Sequence, residues 1–382
     1  MYKRQLYGQN ASGKSNFIKA LDAMQRIVKT SNQNLAVLPI IPFKFSDITL
    51  NKPSVFEVTI LVSGVRYQYG FSATQTTIHE EWLFAYPKGR AQTWFERTFN
   101  LEKNEHKYTF GSKLLGDKEV WKRATRPNAL FLSTAIQLNS QQLQPVFNWF
   151  IDTLHIVGIH GFSPHFSIEW CQDDRKQEIL DFLKTADFAI ADIQVNEKDI
   201  SSEHLPKEVL EHIKKNLGDN NQNKANIPLK QIQLSTTHQS NSGNLIDLDL
   251  DEESSGTQKM FSFAGPWLDS LSQGNVLFID ELHDNLHPLL VKFLVQLFHN
   301  NEKNNKGAQL IFSTHETSIL NQDILRHDQV WFCERGSSQD TRLFPLTDFS
   351  PRKDIANLER AYLSGRYGAL PFLHQVSENF GR

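Results

Sequence analysis

Cysteine is scarce in this chain: Cys171 and Cys333 are its two, and neither has a metal-ligand spacing around it. That excludes a disulfide framework and fits a reducing, cytoplasmic setting. Long hydrophobic runs are missing as well, and none approaches the roughly 18 residues that span a bilayer. No signal-peptide pattern is visible, and no membrane partner is expected. Excess charge of one sign is also absent, the formal net charge being −3 over 382 residues. This is not the profile of a strongly basic nucleic-acid binder, although a local patch is compatible with it. There is no internal repeat, no heptad run long enough for a coiled coil and no catalytic Ser-His-Asp grouping. His155, His160 and His165 recur every five residues, which suits neither one helix face nor a metal motif. Cys171 has no visible activating base. What is present is an ordinary globular balance, 39% hydrophobic and 22% charged, in a chain longer than one average domain.

The first informative run is Gly8-Gln9-Asn10-Ala11-Ser12-Gly13-Lys14-Ser15. Glycines at 8 and 13 let backbone wrap closely around phosphate oxygens, with amides and a helix N-terminus facing the anion. Asn16–Thr30 follows with Phe17, Leu21, Met24 and Val28 at three- and four-residue spacing, which predicts an amphipathic helix. A glycine loop opening directly into a helix is the setting of a phosphate-binding loop. Gly8, Asn10, Ala11, Ser12, Gly13, Lys14, Ser15 and Asn16 are therefore candidate ATP contacts. Lys14 is expected to reach the β- and γ-phosphates and Ser15 to ligate Mg²⁺. Such a loop needs a buried strand feeding it, and only Leu6 and Tyr7 are apolar there. Met1-Tyr2-Lys3-Arg4-Gln5 is polar and charged, and one back-translation, GTG TAT AAG AGA CAG, matches a transposon-end sequencing adapter. Residues 1–5 are therefore expected to be an artefact with the true start upstream. The alternative is a native short start with an exposed edge.

Residues 40–86 read as β. Val55–Val62 alternates, Val65–Ser72 is rich in Tyr and Phe, and Ile78–Phe84 follows. Gly64 predicts a tight hairpin turn. Trp94–Leu101 and Lys107–Phe110 are further short strands. Residues 140–218 read as mostly helical, with Leu143–Leu154, Lys176–Thr185 and Leu205–Leu217 as helices. The Asn-rich stretch Asn216–Ala225 reads as a loop. Strands return at Lys230–Thr237 and Leu245–Leu250. The last third alternates: strand Val276–Ile279, helix Pro288–His299, strands Gln309–Ser313 and Gln329–Cys333. That pattern predicts an α/β fold with a mostly parallel sheet.

Three further motifs carry chemistry. The buried apolar strand Val276–Ile279 ends in Asp280 and Glu281. Asp280 is placed to hold Mg²⁺, and Glu281 to orient or polarise the water that attacks ATP. Ser313-Thr314-His315 follows the next strand, where His315 can sense the γ-phosphate. The right-handed crossover rule makes that strand a neighbour of Val276–Ile279. Glu253-Ser254-Ser255-Gly256-Thr257-Gln258 opens a helix and offers free amides to an anion. Taken without the other motifs, the segment reads as a helix start with Ser254 or Ser255 as a simple N-cap.

Together these elements resemble an ABC-type ATPase head, in the branch shared with SMC proteins and overcoming-lysogeny nucleases. The order of phosphate loop, signature, acidic strand and switch histidine is that of the superfamily. The resemblance implies a P-loop NTPase head with a mostly parallel core sheet, an antiparallel β arm and an inserted helical subdomain. It makes Ser255, Gly256, Thr257 and Gln258 the signature contacted by a partner's nucleotide. Threonine stands at 257 where the commonest signature has a second glycine. His283-Asp284-Asn285-Leu286-His287 takes the place of the dimer-contacting D-loop. Its two histidines, four apart, also have the spacing of a helical metal pair. Tyr7–Asn16, Pro127–Leu138, Glu252–Gln258, Asp280–Pro288 and Tyr362–Pro371 together resemble the RloA-like ATPases of abortive-infection and restriction-linked loci. In the last of these, Arg366 and Tyr367 either dock a partner or pack the final helix. The glutamine that couples nucleotide to the arms in related heads has no counterpart in Ile41–Phe45.

The expected organisation is residues 1–5 as artefact, 6–135 as the first part of the head, 136–228 as the helical insert and 229–382 as the second part. The expected activity is ATP hydrolysis by Glu281, Lys14 and His315 in a homodimer that closes on ATP. By resemblance it regulates a separately encoded effector in phage defence. A DNA-associated ATPase of the SMC, repair or overcoming-lysogeny type is the alternative, with nucleic acid as a partner. A scaffold holding ATP only as a structural ligand has no need of Glu281.

Overall fold

The computed structural model describes residues 3–33, 37–159, 161–200, 229–349 and 358–370. The helix expected at Leu205–Leu217 and the loop at Asn216–Ala225 lie outside the described residues, as does Pro371. The chain forms two compact units, one of residues 1–160, 270–284 and 291–382, the other of 161–269 and 285–290. Among the described residues no helix is long and apolar enough to cross a membrane.

Strand β1 (Lys3–Tyr7) runs into helix α1 (Lys14–Thr30). Then come β2 (Ser54–Val62), β3 (Val65–Ala73), β4 (Ile78–Tyr86), β5 (Gln92–Asn100) and β6 (Glu105–Phe110). Helix α2 (Phe131–Gln137) and strand β7 (Leu154–Val157) follow. Next are helices α3 (His165–Gln172) and α4 (Lys176–Thr185), and strands β8 (Asp192–Ile200), β9 (Leu229–Gln239) and β10 (Leu245–Asp249). The chain continues through α5 (Ser255–Gln273), β11 (Val276–Ile279), α6 (Pro288–Leu297), β12 (Gln309–Ser313), β13 (Val330–Arg335), β14 (Thr341–Pro345) and α7 (Leu358–Leu363).

The core of the first unit is a six-stranded sheet in the order β14-β13-β1-β12-β11-β7. All its pairings are parallel except β13 with β14. Val276-Leu277-Phe278-Ile279 and Leu310-Ile311-Phe312 are continuous apolar runs because both faces of a parallel sheet are covered. Helix α1 turns Ile18, Met24, Ile27 and Val28 inward, while Phe17, read as part of that face, is 39% exposed.

Strand β1 reaches further back than its apolar residues. It begins at Lys3, and Lys3 and Gln5 are both buried. Lys3 Nζ donates to the Val295 carbonyl at 3.2 Å, and burial pushes its pKa down to about 7. The described part of the expected helical stretch, residues 140–200, is also less helical than its composition predicts. Leu154–Val157 is a strand paired with β11, and Asp192–Ile200 is another. A π-turn at Trp149–Thr153 ends the helical stretch, and buried Gln25 donates to the carbonyls of Phe150 and Leu154 beside it. That partner comes from another part of the chain, so local periodicity carries no trace of it.

The arm is a five-stranded antiparallel meander, β2-β3-β4-β5-β6. Ser63 and Gly64, with φ of 50° and 78°, form the two-residue turn between β2 and β3. A buried ion pair holds the arm to the chain that follows it. Arg97 lies 3.6 Å from Glu81, both side chains being fully buried. Arg97 donates to the carbonyls of Ala129, Arg126 and Pro127. Glu81 accepts the amides of Phe131 and Leu132, which open α2, and the Tyr69 hydroxyl. These contacts give the Pro127–Leu138 motif a structural role.

The C-terminal motif packs on β13. Tyr362 and Tyr367 both stack on Phe332, at 5.4 and 5.7 Å between ring centroids. Tyr367 is buried and Arg366 exposed, so the packing role falls to the tyrosine.

The second unit, taken alone, contains the antiparallel sheet β10-β9-β8 with α3, α4 and most of α5. In α5 the Gly265 amide donates to Ser167 Oγ at 3.0 Å, and Phe263 stacks on Trp267.

Two predictions follow from buried charge in the first unit. Truncating one partner of the ion pair, by Glu81→Ala or Arg97→Ala, should cost about 3–5 kcal/mol in urea unfolding, because the other charge is left buried alone. Replacing Lys3 by Met should stabilise the fold by about 1–3 kcal/mol at neutral pH. Lys3 is a base whose pKa falls from 10.5 unfolded to about 7 folded. The unfolded chain therefore binds more protons between those values, and wild-type stability rises with pH across that window. In Lys3→Met that rise should flatten.

Candidate functional site

The parallel sheet builds the site. Because β1, β11 and β12 all run the same way, their carboxyl ends open at one edge. Leu6 is level with Ser313, and Ile279 with Phe312. The loop after Tyr7, the acids after Ile279 and the segment after Phe312 therefore meet there.

The loop wraps tightly. A Cβ on Gly8 would lie 2.3 Å from the Cys333 carbonyl oxygen. Gly13 has φ of 101°, and a Cβ there would lie 1.9 Å from Thr341 Oγ1. Both glycines are therefore required by close approach and, at 13, by a left-handed backbone. Thr341 Oγ1 donates to the Ser12 carbonyl at 3.0 Å, so the β13–β14 hairpin braces the loop. Asn10, Ala11 and Asn16 are exposed at the loop's outer face, and Ser15 is half-buried in the first turn of α1. Lys14 folds back over the loop, its Nζ donating to the carbonyls of Gly8 at 2.9 Å and Gln9 at 3.2 Å. The same Nζ is 3.3 Å from His315 Nε2. Burial lowers the Lys14 pKa, and the charges of Glu281 and Asp280 oppose that shift.

Asp280 is buried and accepts the Ser313 hydroxyl at 2.5 Å. The Ser313 oxygen in turn accepts the Glu281 amide at 2.9 Å. Ser313 thus ties the two acids together, a role the sequence signals only by its place at the end of a sheet strand. Glu281 sits at φ of 54°, a left-handed conformation that costs a non-glycine residue about 1–3 kcal/mol. Its carboxylate lies 3.4 Å from His315 Nε2 and 3.5 Å from His283 Nδ1. The hydrogen bond from His315 is the largest cause that holds the Glu281 carboxyl below its ordinary pKa, with His283 and Lys14 adding to it. Burial pushes the His283 pKa down.

The structure thus brings Gly8–Ser15, Asp280, Glu281 and His315 together. Ser255, Gly256, Thr257 and Gln258 are in the second unit. There Ser254 Oγ accepts the Thr257 amide at 3.1 Å and makes Ser254 the N-cap of α5, while Thr257 is buried. Ser255 is exposed. Residues 281–287 form turns rather than a helix, so His283 and His287 lack the helical spacing of a metal pair. His287 Nδ1 accepts the Leu289 amide instead. Among the described residues, no group of three or more His, Cys, Asp or Glu is arranged to hold a metal ion.

The residues present suit a magnesium nucleotide. The Ser15 hydroxyl and the buried Asp280 carboxylate are hard oxygen donors of the kind Mg²⁺ takes. The loop is a glycine-lined cradle, and Ser12 Oγ is a buried hydroxyl with no protein partner. Beside the loop lies a cavity of about 1180 Å³ lined by Ala11, Asn16, Ile40, Phe43 and Thr341 among others. It borders the same α1 face that leaves the phosphate loop.

Among solved structures, the SMC head domain from Thermotoga maritima aligns over 89% of this chain and 89% of its own, at 12% identity and a TM-score of 0.34. No curated protein matches the chain. A protein-family match covers residues 6–321 and takes in the loop, the acidic strand and His315. The chain therefore belongs to the family described as "AAA domain, putative AbiEii toxin, Type IV TA system".

Proposed function

We propose that the protein binds Mg²⁺–ATP on the Gly8–Ser15 loop and hydrolyses it. The observation that carries this reading is the Lys14–His315–Glu281 chain of contacts at the open end of β1, β11 and β12. A phosphate-binding lysine, a carboxylate and a histidine within hydrogen-bond reach suit phosphoryl transfer to water. When bound, magnesium would neutralise charge developing on the transferred phosphoryl group, with Ser15 and Asp280 as its protein ligands.

Each residue then has a task. The loop amides and Lys14 hold the phosphates. Glu281, kept ionised by His315 and His283, orients the attacking water and accepts its proton. His315 can bridge Glu281 and the terminal phosphate, since its Nε2 already sits between Glu281 and Lys14. The cavity beside Asn16 and Phe43 accommodates the base and sugar.

By the resemblance to ABC-type heads, the signature at Ser255–Gln258 contacts the nucleotide of a second copy, and the active form is a homodimer closed around ATP. The energy of closure is the difference in affinity of the two states for ATP and ADP. In the cell the protein regulates a separately encoded effector of an abortive-infection system. The family description, with its toxin of a type IV toxin–antitoxin system, is consistent with that role.

Lys14→Ala should abolish nucleotide binding in a fluorescent-ATP titration. Glu281→Gln should keep ATP affinity but lower phosphate release by about a hundredfold or more. Light scattering of Glu281→Gln should then report a dimer with ATP and a monomer without it. A monomer under both conditions would remove the dimer from the proposal.

A further inference from the structure

Glu359 lies outside the phosphate site, yet its carboxylate accepts a hydrogen bond from the Thr317 hydroxyl at 2.7 Å. Thr317 is two residues beyond His315, in a stretch, 314–317, that belongs to no helix or strand. Such a stretch lacks a backbone ladder, so its position rests on individual bonds to fixed elements. Tyr7 supplies one, its hydroxyl donating to the Glu316 carbonyl at 2.9 Å. Glu359 supplies another, beside the Thr314 amide, which donates to the Leu6 carbonyl at 3.3 Å.

Packing secures only the start of the stretch, where Thr314 is buried; His315 is exposed and Glu316 and Thr317 are half-buried. A cavity of about 560 Å³ borders the stretch, lined by Tyr7, Gly8, His315, Thr317, Tyr362 and Leu370 among others. A loop beside such a space has room to shift. The helix that carries Glu359 is packed against the sheet. Leu358 and Tyr362, on the same short helix, are buried, Tyr362 stacks on Phe332, and its hydroxyl donates to the Ala369 carbonyl at 3.1 Å. Tyr7 and Tyr362 also touch, with ring centroids 5.7 Å apart. The Tyr7 and Glu359 anchors of the loop therefore share one aromatic platform.

We infer that Glu359 is a positioning residue: through Thr317 it holds His315 against Glu281 and Lys14. Tyr362, the first residue of the C-terminal motif, thereby gains a task, since its packing helps to hold the helix that carries Glu359. The inference rests on the ATPase reading for its catalytic consequence, but not for its structural one.

Two readouts separate these. The first is the imidazole chemical shifts of His315, assigned by loss of its resonances in His315→Gln and followed with and without Mg²⁺–ATP. The second is steady-state phosphate release, with ATP affinity and melting temperature measured alongside. Glu359→Ala and Thr317→Val should each move the His315 shifts and lower kcat about tenfold, since small misplacements of a catalytic group are costly. ATP affinity should stay within about twofold of wild type. The double variant should be no worse than either single one, because both remove the same bond. Glu359→Gln should restore both readouts, its amide oxygen still accepting from Thr317. Unmoved His315 shifts in Glu359→Ala would overturn the inference, as would a loss of activity that Glu359→Gln does not restore. A wild-type protein that releases no phosphate, but whose His315 shifts move in Glu359→Ala, would overturn the ATPase reading and leave the positioning role standing.

Discussion

Parallel pairing of β1 between β12 and β13 is the constraint on which the rest of the first unit depends. It sets Leu6 level with Ser313 and Tyr7 level with Phe332, so the chain leaves the sheet beside the ends of its neighbours. The phosphate loop can then close under the Cys333 carbonyl and the Thr341 side chain, approaches that only glycine permits at 8 and 13. The pairing is strong enough to hold Lys3 and Gln5 in buried positions where apolar residues would be more favourable. Burial accordingly drives the Lys3 ammonium toward its neutral form.

At the open edge, the charged groups stabilise one another in sequence. Asp280 takes the Ser313 hydroxyl, Ser313 takes the Glu281 amide, and Glu281 faces His315 and His283. Lys14 completes the line through His315. The strained backbone at Glu281 fits this arrangement, because a left-handed turn directly after the strand aims the carboxylate at the histidines rather than along the sheet. Such strain persists where surrounding bonds over-determine it, and here the Ser313 bridge provides them.

The aromatic platform on Phe332 adds a second layer. It joins β1, the segment after β12 and the C-terminal helix through Tyr7 and Tyr362. The arm is held differently, by the buried Arg97–Glu81 pair and its bonds to the chain at 126–132. One device uses apolar stacking, beside the phosphate loop. The other uses buried charge.

The local motifs were legible in the sequence because they are governed by neighbours a few residues away. Gly8–Ser15 before an amphipathic helix, the apolar run ending in Asp280 and Glu281, and the parallel α/β alternation all follow from short-range sterics and burial. The hairpin at Ser63-Gly64 was likewise written in its turn residues. Strand β7 was hidden, because its partner β11 lies far along the chain and the Gln25 bonds that end the preceding π-turn come from α1. The Ser313 bridge, the Arg97–Glu81 pair and the Thr317–Glu359 bond are equally long-range. By itself the sequence determined which residues can cradle phosphate and which can carry charge. Only the tertiary structure decided which of them meet, because contact between distant residues is set by strand order and register, and neither is written in any local window.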